Sequence, residues 1–156
     1  RNGWIMLLRV IIRSTTMRCT KDNLMVKIDN ALLDKVGQQA KESPRLRMNF
    51  NLHERLDSPV QRLLNALEPG TILPVHRHRH TDETYIVLRG AIKLILYKED
   101  KTILESCILD PCDGNYGFNI PAGTFHNLEV LDKGTVIFEV KEGPYTPVTP
   151  EDILEN

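Results

Sequence analysis

One segment of this chain carries most of its chemical information: Gly70-Thr-Ile-Leu-Pro-Val-His76-Arg-His78-Arg-His-Thr-Asp-Glu83-Thr-Tyr-Ile-Val-Leu-Arg-Gly90. A further histidine, His126, follows in the segment Pro121-Ala-Gly-Thr-Phe-His126. Imidazole nitrogens and carboxylate oxygens are ligands that divalent transition metals accept. The sequence therefore predicts a single divalent metal ion held by His76, His78, Glu83 and His126.

The spacing of these residues suits ligands that come together from separate strands. His76 and His78 are two residues apart, so on a strand they point to the same face with Cβ atoms roughly 6–7 Å apart. Glu83 follows after enough residues for the chain to turn into a neighbouring strand, and a Pro-x-Gly turn precedes His126. Zinc, iron, manganese and nickel all accept this ligand set, so the identity of the ion stays open. Because imidazole must be neutral to bind a metal, we expect the affinity to fall as the pH drops through about 6.

Size and composition favour one domain without a nucleic-acid or membrane partner. The chain has 156 residues, 41% of them hydrophobic and 26% charged, which is ordinary for a globular protein with its own core. A formal net charge of −1 gives no reason to expect binding to nucleic acid or to an anionic membrane. The three cysteines form no CxxC pair, and this favours a reduced, cytoplasmic location.

The first 24 residues differ from the rest, and we expect them to be a poorly ordered or spurious extension. Their apolar run, Trp4–Ile12, is interrupted by Arg9 and is shorter than the roughly 20 residues of a membrane-spanning helix. Residues 25–156 are predicted to form one domain. It begins with an amphipathic helix at about 29–42, which Asp29 caps and which ends before Pro44.

Short strands separated by turns follow the helix, and they predict an all-β fold. Residues 45–53 alternate strictly between apolar and polar side chains, as half-buried strands do. Glycine, proline and aspartate mark the turns between strands. This pattern favours an antiparallel sandwich or barrel over about 45–141, with a tail over 142–156 in which Thr149 caps a helical turn. The remaining predicted strands are 60–67, 84–88, 91–97, 102–109, 118–120, 127–131 and 136–141.

The two ligand segments resemble the two motifs of the cupin superfamily. The fixed positions of the first motif, from Gly70 to Gly90, are all present, whereas the second lacks a glycine at Asn115 and an asparagine at Val130. From about Met25 onward the chain also resembles the WbuC family of cupin-fold metalloproteins, most clearly in Ser-Pro-Arg-x-Arg-x-Asn-x-Asn-Leu-His and Phe-Glu-Val-Lys-Glu-Gly-Pro-Tyr. The resemblance implies a cupin double-stranded β-helix (jelly-roll) barrel with a short N-terminal helix, one metal in its mouth, and a possible homodimer.

Further polar residues are candidates for catalysis or for substrate binding. His53 and His80 are candidate general bases, because a free imidazole titrates near neutral pH. His80 is interpreted as a rim residue rather than a fifth ligand. Asn49 and Asn51 share a strand face with His53 and are candidate substrate contacts, although a solvent-exposed strand edge explains them equally well. The last two candidates for substrate binding are Arg62 and Tyr85, for which a surface ion pair and core packing are the respective alternatives.

The leading functional hypothesis is an enzyme that acts on a small polar molecule with the metal as Lewis acid. The resemblance to WbuC suggests a sugar or sugar-nucleotide and a place in polysaccharide or O-antigen biosynthesis. An iron-dependent dioxygenase is an alternative, because iron with open coordination positions activates dioxygen. A non-catalytic, metal-dependent saccharide-binding or regulatory module is another.

Overall fold

The computed structural model describes residues 25–154, so the predicted extension over residues 1–24 lies outside the described part of the chain. One helix precedes ten strands. The elements are α1 (Asn30–Glu42), β1 (Arg47–Asn51), β2 (Val60–Leu67), β3 (Val75–His76), β4 (Glu83–Arg89), β5 (Ile92–Tyr97), β6 (Ile103–Leu109), β7 (Gly117–Ile120), β8 (Phe125–Val130), β9 (Thr135–Glu142) and β10 (Ile153–Leu154).

The strands form two five-stranded antiparallel sheets, which confirms the all-β prediction. The first sheet, sheet A, has the order β1-β2-β9-β4-β7, and the second, sheet B, has the order β10-β3-β8-β5-β6. The main core contains buried side chains of both sheets, such as Ile137 from sheet A and Leu94 from sheet B. No helix within residues 25–154 is long and apolar enough to cross a bilayer.

The helix forms as the sequence predicts and covers the outer face of sheet A. Asp29 caps it, because its Oδ1 accepts a hydrogen bond from the backbone N–H of Leu32 at 3.2 Å. Leu33, Val36 and Ala40 are buried on one helix face. They pack against the outward side chains of β2 and β9, which are Leu64, Ala66 and Val136. A helix this short is only marginally stable on its own, so the burial of this apolar stripe supplies most of its stability.

The inward-facing side chains of sheet A change from apolar to charged along the strands, and this change locates the site. In β9 the inward positions run from Ile137 to Glu139 and Lys141. In β4 they run in the opposite direction, from Glu83 to Val87. Because β4 and β9 are antiparallel, the polar ends of both strands lie at the same end of the barrel. The interior is therefore apolar at one end and charged at the other.

Two short elements were not predicted from the sequence. Strand β3 contains only Val75 and His76, and it pairs with β10 at the end of the described chain. The predicted helical turn after Thr149 is present as a 3-10 turn, Pro150–Asp152. Thr149 precedes this turn, but its side chain makes no hydrogen bond to a backbone N–H of the turn, so the predicted side-chain cap is absent there. Both β3 and β10 are too short to show an alternating pattern, so only their long-range pairing identifies them.

Candidate metal centre

His76, His78, Glu83 and His126 come together at the charged end of the barrel. Each of them offers one ligand atom, and these four atoms all lie within 4.8 Å of one another. The residues that the spacing singled out are therefore neighbours in space. Their arrangement could hold one metal ion, which is the coarse form of the sequence prediction.

The two sheets supply different ligands. His76 and His126 are directly opposite each other on β3 and β8 of sheet B, with ring centroids 4.6 Å apart. Glu83 is the first residue of β4 in sheet A. His78 lies beyond the end of β3, so it is not on a strand with His76 as the sequence suggested. Its backbone carbonyl instead accepts a 2.7 Å hydrogen bond from the N–H of Gly123, which ties it to the turn preceding His126.

Backbone carbonyls orient two of the imidazoles toward the cluster. Nδ1 of His76 lies 3.0 Å from the carbonyl oxygen of Pro74, and Nδ1 of His126 lies 2.9 Å from that of Thr124. In a neutral ring, a nitrogen facing a carbonyl carries the proton, which leaves Nε2 of His76 with a lone pair. Nε2 of His126 faces Oε2 of Glu83 at 3.0 Å, and its lone pair would become available where a metal replaced the proton of that contact. This is the arrangement by which proteins fix the tautomer of a metal-binding histidine.

One atom of the cluster lacks any partner of its own. Nε2 of His78 is buried and accepts or donates no hydrogen bond among residues 25–154. The nearest carboxylate oxygen, Oε2 of Glu83, is 3.6 Å away, too far for a hydrogen bond. Buried polar atoms are rarely left unpaired without a reason. A cation at this position would satisfy Nε2, so the residues fit a metal ion.

Burial keeps His76 and His78 in the neutral form that a metal needs. It lowers the pKa of His76 to about 4, an effect to which the neighbouring His126 adds. Burial also lowers the pKa of His78. For Glu83, burial favours the protonated acid, but the contact with Nε2 of His126 and the charge of Lys141 hold its pKa well below the usual value. At neutral pH the cluster therefore offers two neutral imidazoles, those of His76 and His78, and the ionised carboxylate of Glu83.

Sequence reasoning did not identify the charged neighbours of Glu83. Nζ of Lys141 donates to Oε1 of Glu83 at 3.1 Å and to Oε1 of Glu139 at 2.7 Å. Burial opposes the charge of Lys141, but the two carboxylates raise its pKa above the ordinary value. The pKa of Glu139 rises to about 8, because the residue is buried and lies next to the charge of Glu83. The alternation of this strand could have indicated their position, because Glu139 and Lys141 share a strand face with the apolar Ile137.

Tyr85 and His80 lie close to the cluster. The hydroxyl of Tyr85 donates to Oε2 of Glu83 at 3.1 Å, and only 4% of the residue is exposed. Tyr85 therefore holds the carboxylate of Glu83 in place, and its predicted contact with substrate stays a prediction. His80 is exposed and lines a cleft of about 280 Å³ next to His78. It is outside the group of four ligand atoms, in agreement with its interpretation as a rim residue.

The remaining candidates lie away from the cluster, and His53 among them is buried. His53 and Arg62 line a different cleft, of about 510 Å³, which none of the four cluster residues borders. There the backbone N–H of Arg62 donates to Nδ1 of His53 at 3.1 Å. Asn49 and Asn51 have exposed side chains on β1, the edge strand of sheet A. Roles for these residues in catalysis or binding stay predictions.

Part of the chain matches a known protein family. Residues 28–109, more than half of the chain, match the family described as "Domain of unknown function (DUF6016)". The chain belongs to the DUF6016 family. The matched part of this DUF6016 chain includes His76, His78 and Glu83, whereas His126 lies beyond it. No curated protein matches the sequence.

Solved structures identify the fold. KdgF from Halomonas sp. is 18% identical with a TM-score of 0.52, over 67% of the DUF6016 chain and 83% of KdgF. The Cnp3 cupin domain of Schizosaccharomyces pombe is 12% identical with a TM-score of 0.50, over 62% and 64% of the two chains. The SPY1581 protein of Streptococcus pyogenes, described as of unknown function, is 13% identical with a TM-score of 0.54, over 85% and 100%. At these identities the likeness concerns the fold alone, and it confirms the cupin jelly roll.

Proposed function

We propose that this DUF6016 protein binds one divalent metal ion through His76, His78, Glu83 and His126 and is an enzyme that acts on a small polar molecule. One observation carries the proposal: four ligand atoms converge within 4.8 Å, and one of them, Nε2 of His78, is buried without a partner. A structural salt bridge would explain Glu83 beside His126, but it leaves the His78 nitrogen unexplained.

The neighbouring residues support a site prepared for a cation. When bound, a divalent ion supplies a Lewis acid that polarises a carbonyl or hydroxyl oxygen. Lys141 and Tyr85 each donate to a different oxygen of Glu83, and so they fix the orientation of its carboxylate. The pKa of Tyr85 is raised well above the usual value by burial and by Glu83, which keeps its hydroxyl protonated as a donor.

The cleft beside His78 is the place where a substrate would lie. Its volume is about 280 Å³, which suits a molecule at or below the lower end of the usual range for ligand sites. His80 and Arg79 line this cleft, so an acid–base group and a cation are within reach of a bound molecule. We retain His80 as the candidate general base, because it is exposed to the cleft that His78 borders.

The class of substrate rests on resemblance. The segments that resemble the WbuC family support a sugar or sugar-nucleotide and a role in polysaccharide or O-antigen biosynthesis. That assignment concerns the substrate alone, whereas the metal site has its own support in the geometry.

The proposal is tested by the metal content of protein purified without chelator. We expect about one equivalent of a single transition metal per chain by elemental analysis, and its loss in the Glu83→Gln variant. Glu105→Gln is the matched control, because Glu105 is an exposed residue of β6. If the native chain contains no metal and binds neither zinc, iron, manganese nor nickel in calorimetric titrations, the proposal is wrong. Oxygen consumption by the iron-loaded protein, absent with zinc, would favour a dioxygenase instead.

A further inference from the structure

The amide of Gln61 is a second buried polar group without a partner. Gln61 is only 3% exposed, and its Nε2 makes no hydrogen bond with any residue of the described range 25–154. An unpaired donor in the interior destabilises a folded chain, so such groups are uncommon unless something else satisfies them. None of the four residues of the candidate metal centre requires an amide at this position.

Gln61 belongs to a row of side chains across three neighbouring strands. It lies directly opposite Lys141 on β9, and Lys141 lies directly opposite Glu83 on β4. Directly opposed residues of antiparallel strands project to the same face with Cβ atoms about 5 Å apart. The amide, the ammonium and the carboxylate therefore line one edge of the barrel mouth in that order.

Lys141 has a hydrogen-bond donor left over. Its ammonium group carries three N–H donors. Two of them are used by the carboxylates of Glu83 and Glu139. The third N–H of Lys141 is unused, and Lys141 lines the same small cavity as Gln61. Gln61 and Lys141 thus both have a donor to spare and line one cavity beside the cluster, of which the exposed Glu142 also forms part of the wall.

The cavity that Gln61 and Lys141 line is small and adjoins the larger cleft. Its volume is about 20 Å³, room for one water-sized atom, and His78 and Lys141 form part of its wall. The tail residues Pro144–Thr146 close the opposite side. Thr81, His78 and Thr146 also line the 280 Å³ cleft, so the two spaces share a wall. A molecule in the cleft could therefore place a single atom in the small cavity.

The tail wall is held in place by backbone hydrogen bonds. The N–H of Gly143 donates to the carbonyl of Pro59 at 2.8 Å, and the N–H of Tyr145 donates to that of Leu56 at 2.7 Å. A Cβ at Gly143 would overlap the carbonyl oxygen of Ser58, so only glycine permits this close approach. The small cavity is accordingly a fixed feature of the fold.

We propose that Gln61 and Lys141 form a subsite that binds one carboxylate oxygen of a small organic acid, the body of which lies in the cleft beside His78. The inference rests on the proposed function, since it names the chemical class of ligand for the same site. Both groups at this point are donors, so an acceptor oxygen fits and a hydroxyl hydrogen does not. The charge of Lys141 favours an anion over a neutral carbonyl. A metal ion on the neighbouring cluster would add to that preference.

Acetate is the probe for a test by nuclear magnetic resonance. It is titrated into the ¹⁵N-labelled, zinc-loaded full chain, and the side-chain amide signals of Gln61 are identified by their absence in Gln61→Leu. We expect these signals to shift with saturation. Gln61→Leu should bind acetate roughly tenfold or more weakly, as loss of a hydrogen bond to a charged group predicts. Gln39→Leu, an exposed glutamine of α1, should bind acetate as the unaltered protein does.

A second measurement separates binding from folding. Because leucine removes an unpaired buried donor, the thermal midpoint of Gln61→Leu without acetate should equal or exceed that of the unaltered protein. Its zinc affinity should change less than about twofold, since Gln61 is not a ligand. A lower thermal midpoint without acetate would mean that the amide has a partner within the fold, and this would overturn the proposal.

The remaining outcomes each decide one question. Equal acetate affinity in Gln61→Leu and the unaltered protein would overturn the subsite while leaving the metal site intact. Equal binding of acetamide and acetate would overturn the assignment of an anion. If zinc does not bind at all, the proposed function fails, and acetate is titrated into the metal-free chain instead. Binding there that depends on Gln61 supports the subsite, and its absence overturns it.

Discussion

Lys141 donates to Oε1 of Glu83 at 3.1 Å, while Oε2 of the same carboxylate lies 3.0 Å from Nε2 of His126. The two oxygens of Glu83 therefore have different neighbours: Oε1 accepts from Lys141, whereas Oε2 accepts from the hydroxyl of Tyr85 and faces His126. Oε2 is thus the oxygen on the side of the histidines, where a cation would be held.

Substitution of Glu83 by glutamine should weaken metal binding and leave the fold intact. The amide keeps the shape of the carboxylate but loses its charge, so the dissociation constant for zinc should rise by at least about 100-fold, given that even outer neighbours of a metal contribute 10–100-fold. Calorimetry measures this change, and circular dichroism checks the fold. Unchanged zinc affinity would remove Glu83 from the ligand set. Glu105→Gln, on exposed β6, should retain the affinity of the unaltered chain.

Loss of Lys141 should destabilise the metal-free protein. Glu83 is 2% exposed and ionised, so Lys141→Met leaves its buried carboxylate without the cation. Breaking a buried ion pair in this way costs about 3–5 kcal/mol of unfolding free energy. Urea denaturation measures the loss, with Lys98→Met in an exposed turn as the control.

The same network permits a double-substitution test. Glu139 has a pKa of about 8 and is largely protonated at neutral pH, so it acts mainly as a hydrogen-bond partner of Lys141. Glu139→Gln should therefore cost less stability in the Lys141→Met background than in the unaltered chain. If the second substitution instead adds a full, independent loss, Lys141 and Glu139 are not coupled through their 2.7 Å hydrogen bond.

Metal affinity should persist to a lower pH than the sequence alone suggested. An ordinary imidazole would be protonated near pH 6, but burial lowers the pKa of His76 from 6.5 to about 4. Protons therefore compete with the metal at His76 mainly below about pH 5. Zinc titrations from pH 8 to pH 4 should show a nearly constant contribution of His76 down to about pH 5 and a loss below it. The ratio of the zinc affinities of the unaltered chain and His76→Gln isolates this contribution, and a ratio that already falls near pH 6.5 would contradict a buried, neutral His76.

The same pKa shift predicts how the metal-free protein responds to acid. The unfolded chain binds a proton at His76 below about pH 6.5, whereas the folded chain binds it only below about pH 4. Unfolding therefore takes up a proton between these values, and the contribution of His76 to the unfolding free energy falls as the pH decreases from 6.5 to 4. His76→Gln should show a flatter pH dependence of its urea midpoint over this interval.

The homodimer remains a prediction, and strand β6 is where we would look for it. It forms an edge of sheet B and exposes Ile103, Leu104 and Ile108, with 60%, 56% and 52% of each residue accessible. Exposed apolar edge strands readily pair with another chain. We expect a dimer by light scattering and a monomer for Ile108→Lys. A monomeric unaltered chain would contradict the prediction.

The sequence identified the four residues that meet in the cluster, because three of them lie close together in the chain. His76, His78 and Glu83 lie within one short segment, and the turn before His126 is marked by proline and glycine. The helix was equally readable from its cap at Asp29. These features depend on neighbours in the chain, which periodicity and turn chemistry describe.

Features that depend on strand register could not be predicted in the same way. The opposition of Gln61, Lys141 and Glu83 requires the pairing of three strands that are far apart in sequence. A shift of one residue would turn each side chain to the other face. For the same reason the sequence grouped His53 with the pocket residues, whereas the structure places it with Arg62 in a separate cleft.

The opposition of His76 and His126 across β3 and β8 has a consequence for how the protein would acquire a metal. The two rings meet only once strands fifty residues apart in the chain have paired, so the unfolded polypeptide lacks the complete set of four donors. A metal held by all four would then be taken up from the ions that surround the folded barrel. The element recovered from an expression host would report the growth medium as much as any intrinsic selectivity, and competition between metals in vitro is the sounder guide.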